Sequence, residues 1–373
     1  MIHFVVEPHR NFGFRYFIAD RGGDRDDRFH LLDPELLQRD CRFAPGSYVF
    51  TLDDLLPAEV EAYEAVWNQL GQHAPGVRLL NHPRNTMGRH ALLQTLYNSG
   101  RSRVRAVRTT EPLESLRYPV FVREEVRHTG SLTPLIDSPD EVRRTLRNLA
   151  LRGFRREELL VVEFCDTSDS EGVIRKYSAY IVGDRVIPRA LEFGTNWTVK
   201  HDPHSYTPER IIEEREFVES NPHEAQLRDI FSLAKVQYGR IDYAMIDGAL
   251  QVWEINLNPT IGRNRPETEE SAEVLRIRGL RRPTGDIFYS RFLAAWDALD
   301  APTAIGEPVC IEVDPRLWKA AHRARAAALR GARYQRAMQW ATHQPTLGAT
   351  WQLLKRLRPP VRSQLTDDQT EGS

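Results

Sequence analysis

Cysteine and long apolar runs are scarce in this sequence. Its 373 residues include three cysteines, Cys41, Cys165 and Cys310, which stand far apart. This spacing gives no CxxC pair, so it offers no zinc knuckle or redox pair, and it favours a reducing compartment over a disulfide framework. No apolar run approaches the ~20 residues of a transmembrane helix, and the N-terminus lacks a secretory signal pattern. We therefore expect a cytoplasmic protein that does not contact a membrane.

A surplus of charge and a normal share of lysine are also missing. Lys and Arg total 51 against 52 Asp and Glu, so the overall charge of −1 indicates no particular partner. Only 5 of the cations are lysines, so a site for phosphate or carboxylate is expected to use arginine, which binds both groups bidentately. The composition, 41% hydrophobic and 28% charged, is typical of a globular protein with room for two or three domains.

Alternating strand and helix patterns predict an α/β fold. Short apolar strands at 3–7, 48–52 and 77–81, with a helical pattern at 58–70 between the last two, indicate a βαβ unit and a small parallel sheet. Further along, the pattern predicts a helix at 89–98, a strand at 118–125, a capped helix at 138–153, a buried strand at 159–166, a hairpin at 176–193 and a helix at 224–238.

The segment QVWEINLNP at 251–259 alternates apolar and polar residues up to a proline. Glu254, Asn256 and Asn258 stand at every second position, which predicts a strand with one polar face. Two carboxylates and an amide on such a face would suit Mg²⁺, which takes hard oxygen ligands. The alternative is a hairpin whose polar face is simply solvated.

The second carboxylate would come from Asp242 on the preceding strand. Asp247 and Gly248 favour a hairpin turn between the two strands. A three-residue turn would place Asp242 on the face of Glu254, whereas a two-residue turn would place it on the opposite face. We expect the shared face, and therefore a turn of odd length.

The segment GRIDYAMIDGALQVWEINLNP at 239–259 resembles the metal-binding segment of the ATP-grasp superfamily, which is an Asp on one strand, then Glu-x-Asn and a closing Pro on the next. The superfamily includes glutathione synthetases, D-alanine–D-alanine ligases and ribosomal-protein glutamate ligases. The resemblance implies that Asp242, Glu254 and Asn256 hold two Mg²⁺ ions (Mn²⁺ could replace them) that bridge the phosphates of ATP. It also implies an α/β, two-lobed ATP-grasp fold with a preceding βαβ domain.

Segments upstream follow the order of the same superfamily. Arg123, in YPVFVREEVRHTGSLTPL at 118–135, stands where the family usually has a lysine, and Arg89 resembles an earlier nucleotide-binding lysine. The segment 159–166 resembles the hinge strand, whose backbone pairs with adenine. The remaining residues that the resemblance assigns to the nucleotide are His128, Thr129, Gly130 and Ser131 in a phosphate loop, and Val162, Glu163 and Phe164 in the hinge.

The segment GVIRKYSAYIVGDRVIPRA at 172–190 resembles a hairpin of the peptide-forming members. By this resemblance Arg175 or its neighbour Lys176 contacts the γ-phosphate or an acyl-phosphate, and Arg189 on the return strand faces the same cavity. Asn196 and Lys200 could continue the site, but solvated loop residues are the simpler interpretation.

The resemblance covers residues 80–298 and implies a ligase that uses ATP and Mg²⁺. Such an enzyme activates a carboxylate as an acyl-phosphate and joins it to an amine, on small-molecule or peptide substrates. An alternative on the same fold is a phosphotransferase acting on a hydroxyl. The implied organisation is an N-terminal α/β domain at 1–85, the small lobe at 86–165, the large lobe with the metal site at 166–298, a basic helical extension at 299–358 and a disordered tail at 359–373.

A third alternative belongs to another class, a nucleic-acid binder acting through the basic extension. Residues 315–366 contain 11 lysines and arginines and no acid. Such a row could contact a phosphate backbone. The simpler interpretation is a solvated helix, packed through Trp318, Leu329, Trp340 and Trp351.

Overall fold

The computed structural model describes most of the chain. The described residues are 1–6, 12–18, 28–34, 37, 42–53, 55–73, 76–126, 130–199, 202–261, 271–300 and 308–342, with backbone alone at 12, 73, 309 and 332–342. Elements are numbered below in chain order within these residues.

The N-terminal part is a four-stranded parallel sheet with helices, in the order β2-β1-β4-β5. All side chains of β1 and β4 are buried, which explains why both strands are nearly uniformly apolar. The predicted parallel sheet and its βαβ unit are confirmed. The elements are β1 Ile2–Val5, α1 Phe12–Phe17, β2 Phe29–Leu32, β3 Arg42–Phe43, β4 Ser47–Phe50, α2 Pro57–His73 and β5 Arg78–Leu80.

A three-stranded antiparallel sheet follows, in the order β6-β8-β7. Helix α3 has the predicted bounds, and α4 begins with the predicted cap, where the Ser138 side chain accepts a hydrogen bond from the Glu141 N–H. Strand β8 ends at Glu163, three residues earlier than predicted. The elements are α3 Arg89–Asn98, β6 Ala106–Arg108, β7 Val120–Glu124, α4 Pro139–Leu151 and β8 Leu159–Glu163.

The third part is a four-stranded antiparallel sheet in the order β10-β9-β11-β12. The predicted hairpin turn is present, with Gly183 at φ 65°. Helix α6 ends at Ala234, earlier than predicted, because Lys235 adopts a left-handed conformation and residues from Tyr238 join the sheet. The elements are β9 Ile174–Val182, β10 Arg185–Gly194, α5 Pro208–Ser220, α6 Glu224–Ala234, β11 Tyr238–Ile246, β12 Ala249–Asn256 and α7 Ala272–Asp300.

The turn between β11 and β12 has two residues, so the prediction of an odd-length turn was wrong. Asp247 and Gly248 both have positive φ, 50° and 78°, as a tight type I′ turn requires. Ile246 then pairs with Ala249. Continued without a break, this register would place Asp242 on the face opposite to Glu254.

A β-bulge reverses that outcome. Tyr243 pairs with Val252, but Asp242 pairs with Glu254, so Trp253 is an extra residue on β12. A bulge of this kind lets two residues of one strand oppose one residue of the other. Asp242 therefore lies directly across from Glu254. The predicted shared face is observed, but a β-bulge produces it and not an odd-length turn.

The core joins the parallel sheet to the four-stranded sheet. The ring of Phe4 lies 5.0 Å from Trp296 of α7 and 5.8 Å from Tyr238 of β11, all three being almost fully buried. The Asn81 amide donates to the carbonyl oxygens of Phe50 and Tyr238. These contacts hold the ends of β4 and β5 beside the large sheet.

The C-terminal elements are β13 Val309–Cys310, which pairs with β3, and α8 Pro315–Thr342. Helix α8 packs on α2, where Trp318 contacts Tyr63 edge-on at 5.4 Å and Arg325 pairs with Glu59. Leu329 is 50% exposed, so its predicted packing role was wrong. The side chains of residues 340 and 351 and the tail 359–373 lie outside the described residues. None of the described helices is long and apolar enough to cross a membrane.

Candidate functional site

A cavity of about 630 Å³ lies between the two antiparallel sheets. Strands β7 and β8 line it from one side, and β9, β11 and β12 from the other. The structure thus brings together residues that the sequence places up to about 130 positions apart. The predicted site residues that line the cavity are Arg123, Gly130, Ser131, Val162, Glu163, Phe164, Lys176, Asp242, Glu254 and Asn256, together with Asn196.

Asp242 forms one half of the charged part of the cavity. Arg240 donates to it bidentately, through Nε at 2.9 Å and Nη2 at 3.2 Å, and Lys176 Nζ lies 3.4 Å away. Lys176 also pairs with Glu192 at 3.1 Å. Burial lowers the pKa of Arg240, but the charge of Asp242 outweighs it and the pKa is raised. The pKa of Lys176 is raised likewise, because Asp242 and Glu192 outweigh burial.

Glu254 forms the other half. Its carboxylate accepts hydrogen bonds from Arg89 at 2.5 Å and Arg123 at 2.8 Å. Arg89 is buried and also donates to the carbonyl oxygens of Glu124 and Glu125, at 2.9 and 2.6 Å, so its guanidinium is fixed in place. The pKa of Arg123 is lowered by burial and then by the positive charge of Arg89. Two arginines are thus held against one carboxylate.

The cations of this end suit a polyanion. Arg123, Lys176 and Arg240 line it, and Arg89, which does not line the cavity, contacts Glu254 at 2.5 Å. These positive groups lie between two sheets, where electrostatic attraction is stronger than in open water. Guanidinium groups bind phosphate as well as they bind carboxylate.

The donor set also suits Mg²⁺. Asp242 on β11 pairs with Glu254 on β12, and Arg240 pairs with Asn256 two residues further along the same strands. The Asn256 side-chain oxygen accepts from the Asn258 N–H at 2.9 Å, which fixes its orientation. In the described part of the chain no cluster of three or more His, Cys, Asp or Glu is placed to hold a metal. Two carboxylates and one amide would therefore need phosphate or water oxygens to complete a Mg²⁺ shell.

The other end of the cavity is aromatic. The Trp197 ring lies 5.0 Å from Phe121 and 6.0 Å from Phe164, and Val162 lies beside them in the wall. Phe121 and Arg123 stand two residues apart on β7 and so share a face, ~7 Å from each other. A single strand therefore fixes the order of a flat apolar surface followed by a cation.

Glu163, predicted to lie near the adenine base, is engaged inside the small sheet. Its side chain is 2% exposed. The carboxylate accepts from the backbone N–H groups of Arg105 and Arg117, at 3.1 and 2.8 Å, and from the Arg117 guanidinium at 2.8 Å. It therefore ties the loops before β6 and β7 to the end of β8.

The hinge amides are also engaged, because β8 is the central strand of its sheet. The Glu163 N–H donates to the Arg105 carbonyl at 3.0 Å, and the Phe164 N–H donates to the Pro119 carbonyl at 2.9 Å. These two donors are therefore not available to a base, in contrast to the prediction for Val162–Phe164. The next amide, that of Cys165, has no acceptor among the described residues and lies at the cavity wall.

Arg175 lies outside the cavity, whereas Lys176 lies within it. Successive residues of a strand point to opposite faces, and β9 sends Arg175 toward Asp169, at 2.5 Å, and Glu213, at 2.6 Å. These carboxylates raise the pKa of Arg175, through the Glu213 hydrogen bond above all. Of the two alternatives for this position, the geometry selects Lys176.

Arg189 is also outside the cavity, contrary to expectation. It is the extra residue of a bulge in β10, between the paired residues Pro188 and Ala190. The bulge turns its guanidinium onto α7, 4.5 Å from the Phe288 ring and 5.3 Å from the Tyr289 ring. A cation–π contact with two rings accounts for its position.

The predicted phosphate loop is described only in part. His128, Thr129 and Lys200 lie outside the described residues. Gly130, at φ 82°, and Ser131 line the cavity, and Ser131 bridges to Arg123 on β7. The Ser131 hydroxyl donates to the Thr133 carbonyl at 2.6 Å, so it stabilises the loop itself.

Among the cavity residues that the sequence interpretation missed are Arg240 and Trp197. Arg240 stands two positions before Asp242 on the same strand, so period-two alternation alone could have placed it on the shared face. Trp197 comes from the loop after β10, and no local pattern indicates that this loop folds across to Phe121.

Solved structures similar to this chain are ATP-grasp ligases. The ATP complex of D-alanine–D-alanine ligase from Bacillus anthracis is 12% identical, with a TM-score of 0.43, over 80% of this chain and 99% of that one. The ATP-grasp ligase PsnB with a minimal precursor is 12% identical, with a TM-score of 0.44, over 79% and 99%. The RimK domain ATP-grasp protein of Sphaerobacter thermophilus is 12% identical, with a TM-score of 0.39, over 78% and 99%.

No protein-family model matches the sequence, and no curated protein matches it.

Proposed function

We propose that this protein is an ATP- and Mg²⁺-dependent ligase of the ATP-grasp type, which activates a carboxylate as an acyl-phosphate and joins it to an amine. The observation that carries the proposal is the layout of the 630 Å³ cavity. Aromatic residues form one end, and three cations with two opposed carboxylates form the other. A nucleoside triphosphate has the same order, a flat base followed by a metal-bound polyanion.

The proposed roles follow from position. The Trp197, Phe121 and Phe164 rings would hold the base, and the Cys165 N–H would donate to its edge. Arg123 and Lys176 would bind the phosphates. The three-stranded sheet would form the small lobe of the fold and the β9–β12 sheet the large lobe.

The metal would be held by Asp242, Glu254 and Asn256. When bound, Mg²⁺ would neutralise the phosphate oxygens and make ADP a better leaving group. The protein's own part is to fix these donors, which the Trp253 bulge does by aligning Asp242 with Glu254. Arg240, held bidentately beside Asp242, would stabilise the charge on a transferred phosphoryl group.

The reaction has two steps. A carboxylate oxygen of the acid attacks the γ-phosphorus, and ADP leaves. The amine nitrogen then attacks the acyl carbon, inorganic phosphate leaves and a proton is released. Phosphate is a far better leaving group than a carboxylate oxygen, so phosphorylation of the acid by ATP allows the amide bond to form. The cavity residues act by positioning and by neutralising charge, and the Trp197 loop would help to exclude water.

The first test is a coupled ADP-release screen over amino acids and small peptides, with mass analysis of the adducts. ADP should appear only with a matched acid and amine and a divalent metal. Glu254→Ala should abolish turnover, because it removes a metal ligand and the carboxylate that Arg89 and Arg123 both contact. Glu219→Ala, which removes an exposed carboxylate paired with Arg215, is the matched control and should keep full turnover.

Hydroxylamine separates the two reactions that this fold could support. A hydroxamate formed from the acid shows an acyl-phosphate, as expected for a ligase. A phosphorylated product without hydroxamate would assign a phosphotransferase instead. Full turnover of Glu254→Ala, or activity without divalent metal, would refute the nucleotide site itself.

A further inference from the structure

Among the described helices and strands, the C-terminal helix α8 is the one whose charge is most strongly of a single sign. It contains seven lysines and arginines and no aspartate or glutamate, and the acid-free stretch continues to residue 366. The rest of the chain carries the opposite sign, with 44 lysines and arginines (51 less the 7 of α8) against 52 aspartates and glutamates. This charge takes no part in the proposed ligase site, because α8 packs on α2 of the parallel sheet.

Four exposed cations of α8 form a straight row, which we call the basic row: Arg316, Lys319, Arg323 and Arg330. They stand at positions i, i+3, i+7 and i+14. With 3.6 residues per turn these positions fall within about 60° of one another and extend ~21 Å along the axis. The packed face, with Trp318 and Ala321 buried, lies on the opposite side of the helix.

No carboxylate pairs with the basic row among the described residues. Helices α5 and α6 are different, since Arg215 pairs with Glu219 and Arg228 pairs with Glu224 one turn away. Like charges three or four residues apart on a helix repel each other. The basic row therefore carries a local repulsion that nothing within the described chain relieves, and a bound polyanion would relieve it.

The surface between the cations indicates the class of polyanion. Ala320, Ala326 and Ala327 are exposed there, so the row has no aromatic or large apolar side chain, and the exposed Leu329 lies about 100° away around the helix. A protein partner usually gains its affinity from such anchors. A phosphate backbone needs none, because its binding energy comes from the release of counterions.

We propose that the basic row binds the phosphodiester backbone of a nucleic acid. The row has no Asn, Gln or aromatic side chain with which to read or stack on bases. Binding is therefore independent of base sequence and strongly dependent on salt. The inference stands apart from the proposed ligase chemistry, because it uses none of the cavity residues.

The test is fluorescence anisotropy of the full chain with a labelled RNA of about 20 nucleotides, single-stranded in one arm and duplex in the other, from 50 to 200 mM salt. Four phosphate contacts give a slope of log K against log salt of about −3, which is about 50-fold weaker binding across that range for the single strand. The variant R316Q/K319Q/R323Q/R330Q should lose this slope in at least one arm.

The matched control is R143Q/R155Q/R215Q/R228Q, which removes the same charge from arginines that are exposed and paired with carboxylates. It should keep the wild-type slope, and circular dichroism checks that both variants are folded. The proposal is overturned if neither RNA binds at 50 mM salt, or if both variants lose affinity equally. It is also overturned if polyglutamate competes as well as RNA at equal charge, which would assign an acidic protein as the partner.

Discussion

Replacing Arg240 with methionine removes the closest counter-charge of Asp242 while filling a similar volume. The wild-type guanidinium makes two hydrogen bonds to a carboxylate that is 6% exposed. After the change the Asp242 carboxylate keeps its ion pair with Lys176, whose Nζ lies 3.4 Å away. The carboxylate remains buried, because both strands that carry its surroundings are unchanged.

The expected loss of unfolding free energy is about 3 kcal/mol. Removing one partner of a buried ion pair costs about 3–5 kcal/mol, since the other charge stays uncompensated. The lower end applies here because Lys176 remains close. Arg175→Met is the matched control, since its partners Asp169 and Glu213 are each about one-third exposed and solvent-screened ion pairs contribute little to stability.

Urea unfolding of the two single variants and of Arg240→Met/Asp242→Asn measures these quantities. Neutralising Asp242 in the absence of Arg240 should recover part of the lost stability, because the uncompensated charge has been removed. The same double variant should not recover ADP release, since Asn supplies a weaker metal ligand. An Arg240→Met protein as stable as wild type, or a double variant less stable than the single one, would refute this account of the charged cluster.

Three further outcomes follow from other residues. Trp197→Ala should raise the KM for ATP about tenfold, as expected from the loss of ~1–2 kcal/mol of ring contact. Trp197→Phe keeps a ring and should raise the KM less. An unchanged KM in both variants would show that the ring does not contact the nucleotide. Burial lowers the pKa of His3 to about 4 from 6.5, so the stability present above pH 6.5 is lost as the pH falls toward 4, by up to about 3 kcal/mol. In urea titrations at pH 7.5 and 5, His3→Phe should show a smaller loss than wild type, and an equal loss would assign the effect to other groups. Asn81→Ala should lower the free energy of unfolding by ~3 kcal/mol or more in the same assay, because it removes four side-chain hydrogen bonds and places Ala at φ 63°. A loss below about 1 kcal/mol would show that water replaces these hydrogen bonds.

Features coded by neighbouring residues could be predicted from the sequence. The bounds of α3, the cap of α4 at Ser138 and the turn at Gly183 each depend on a few adjacent side chains. The polar face of β12 follows from alternation. Local rules also place Asp242 and Glu254 in one hairpin, but they do not determine that the two residues share a face.

The remaining features depend on contacts between distant segments. The Trp253 bulge is not marked by any local residue preference, and it reversed the relation between turn length and the face of Asp242. The choice between Arg175 and Lys176 depends on which face of β9 meets the cavity. The position of Trp197 depends on a loop crossing to another sheet. In each case the competing local structures differ little in energy, so tertiary packing decides.

The pairing of every charged cavity group with an opposite charge has a consequence for how ligands enter. A nucleotide that takes the cations away from Asp242 and Glu254 would leave these two carboxylates facing its phosphates. A metal that takes the carboxylates would leave Arg89, Arg123 and Arg240 facing the metal. Each ligand bound alone therefore replaces ion pairs of the protein with a repulsion between like charges. When both bind, the metal contacts the carboxylates and the phosphates contact the cations, so both contacts are attractive. Metal and nucleotide should each tighten the binding of the other, by the same factor in both directions.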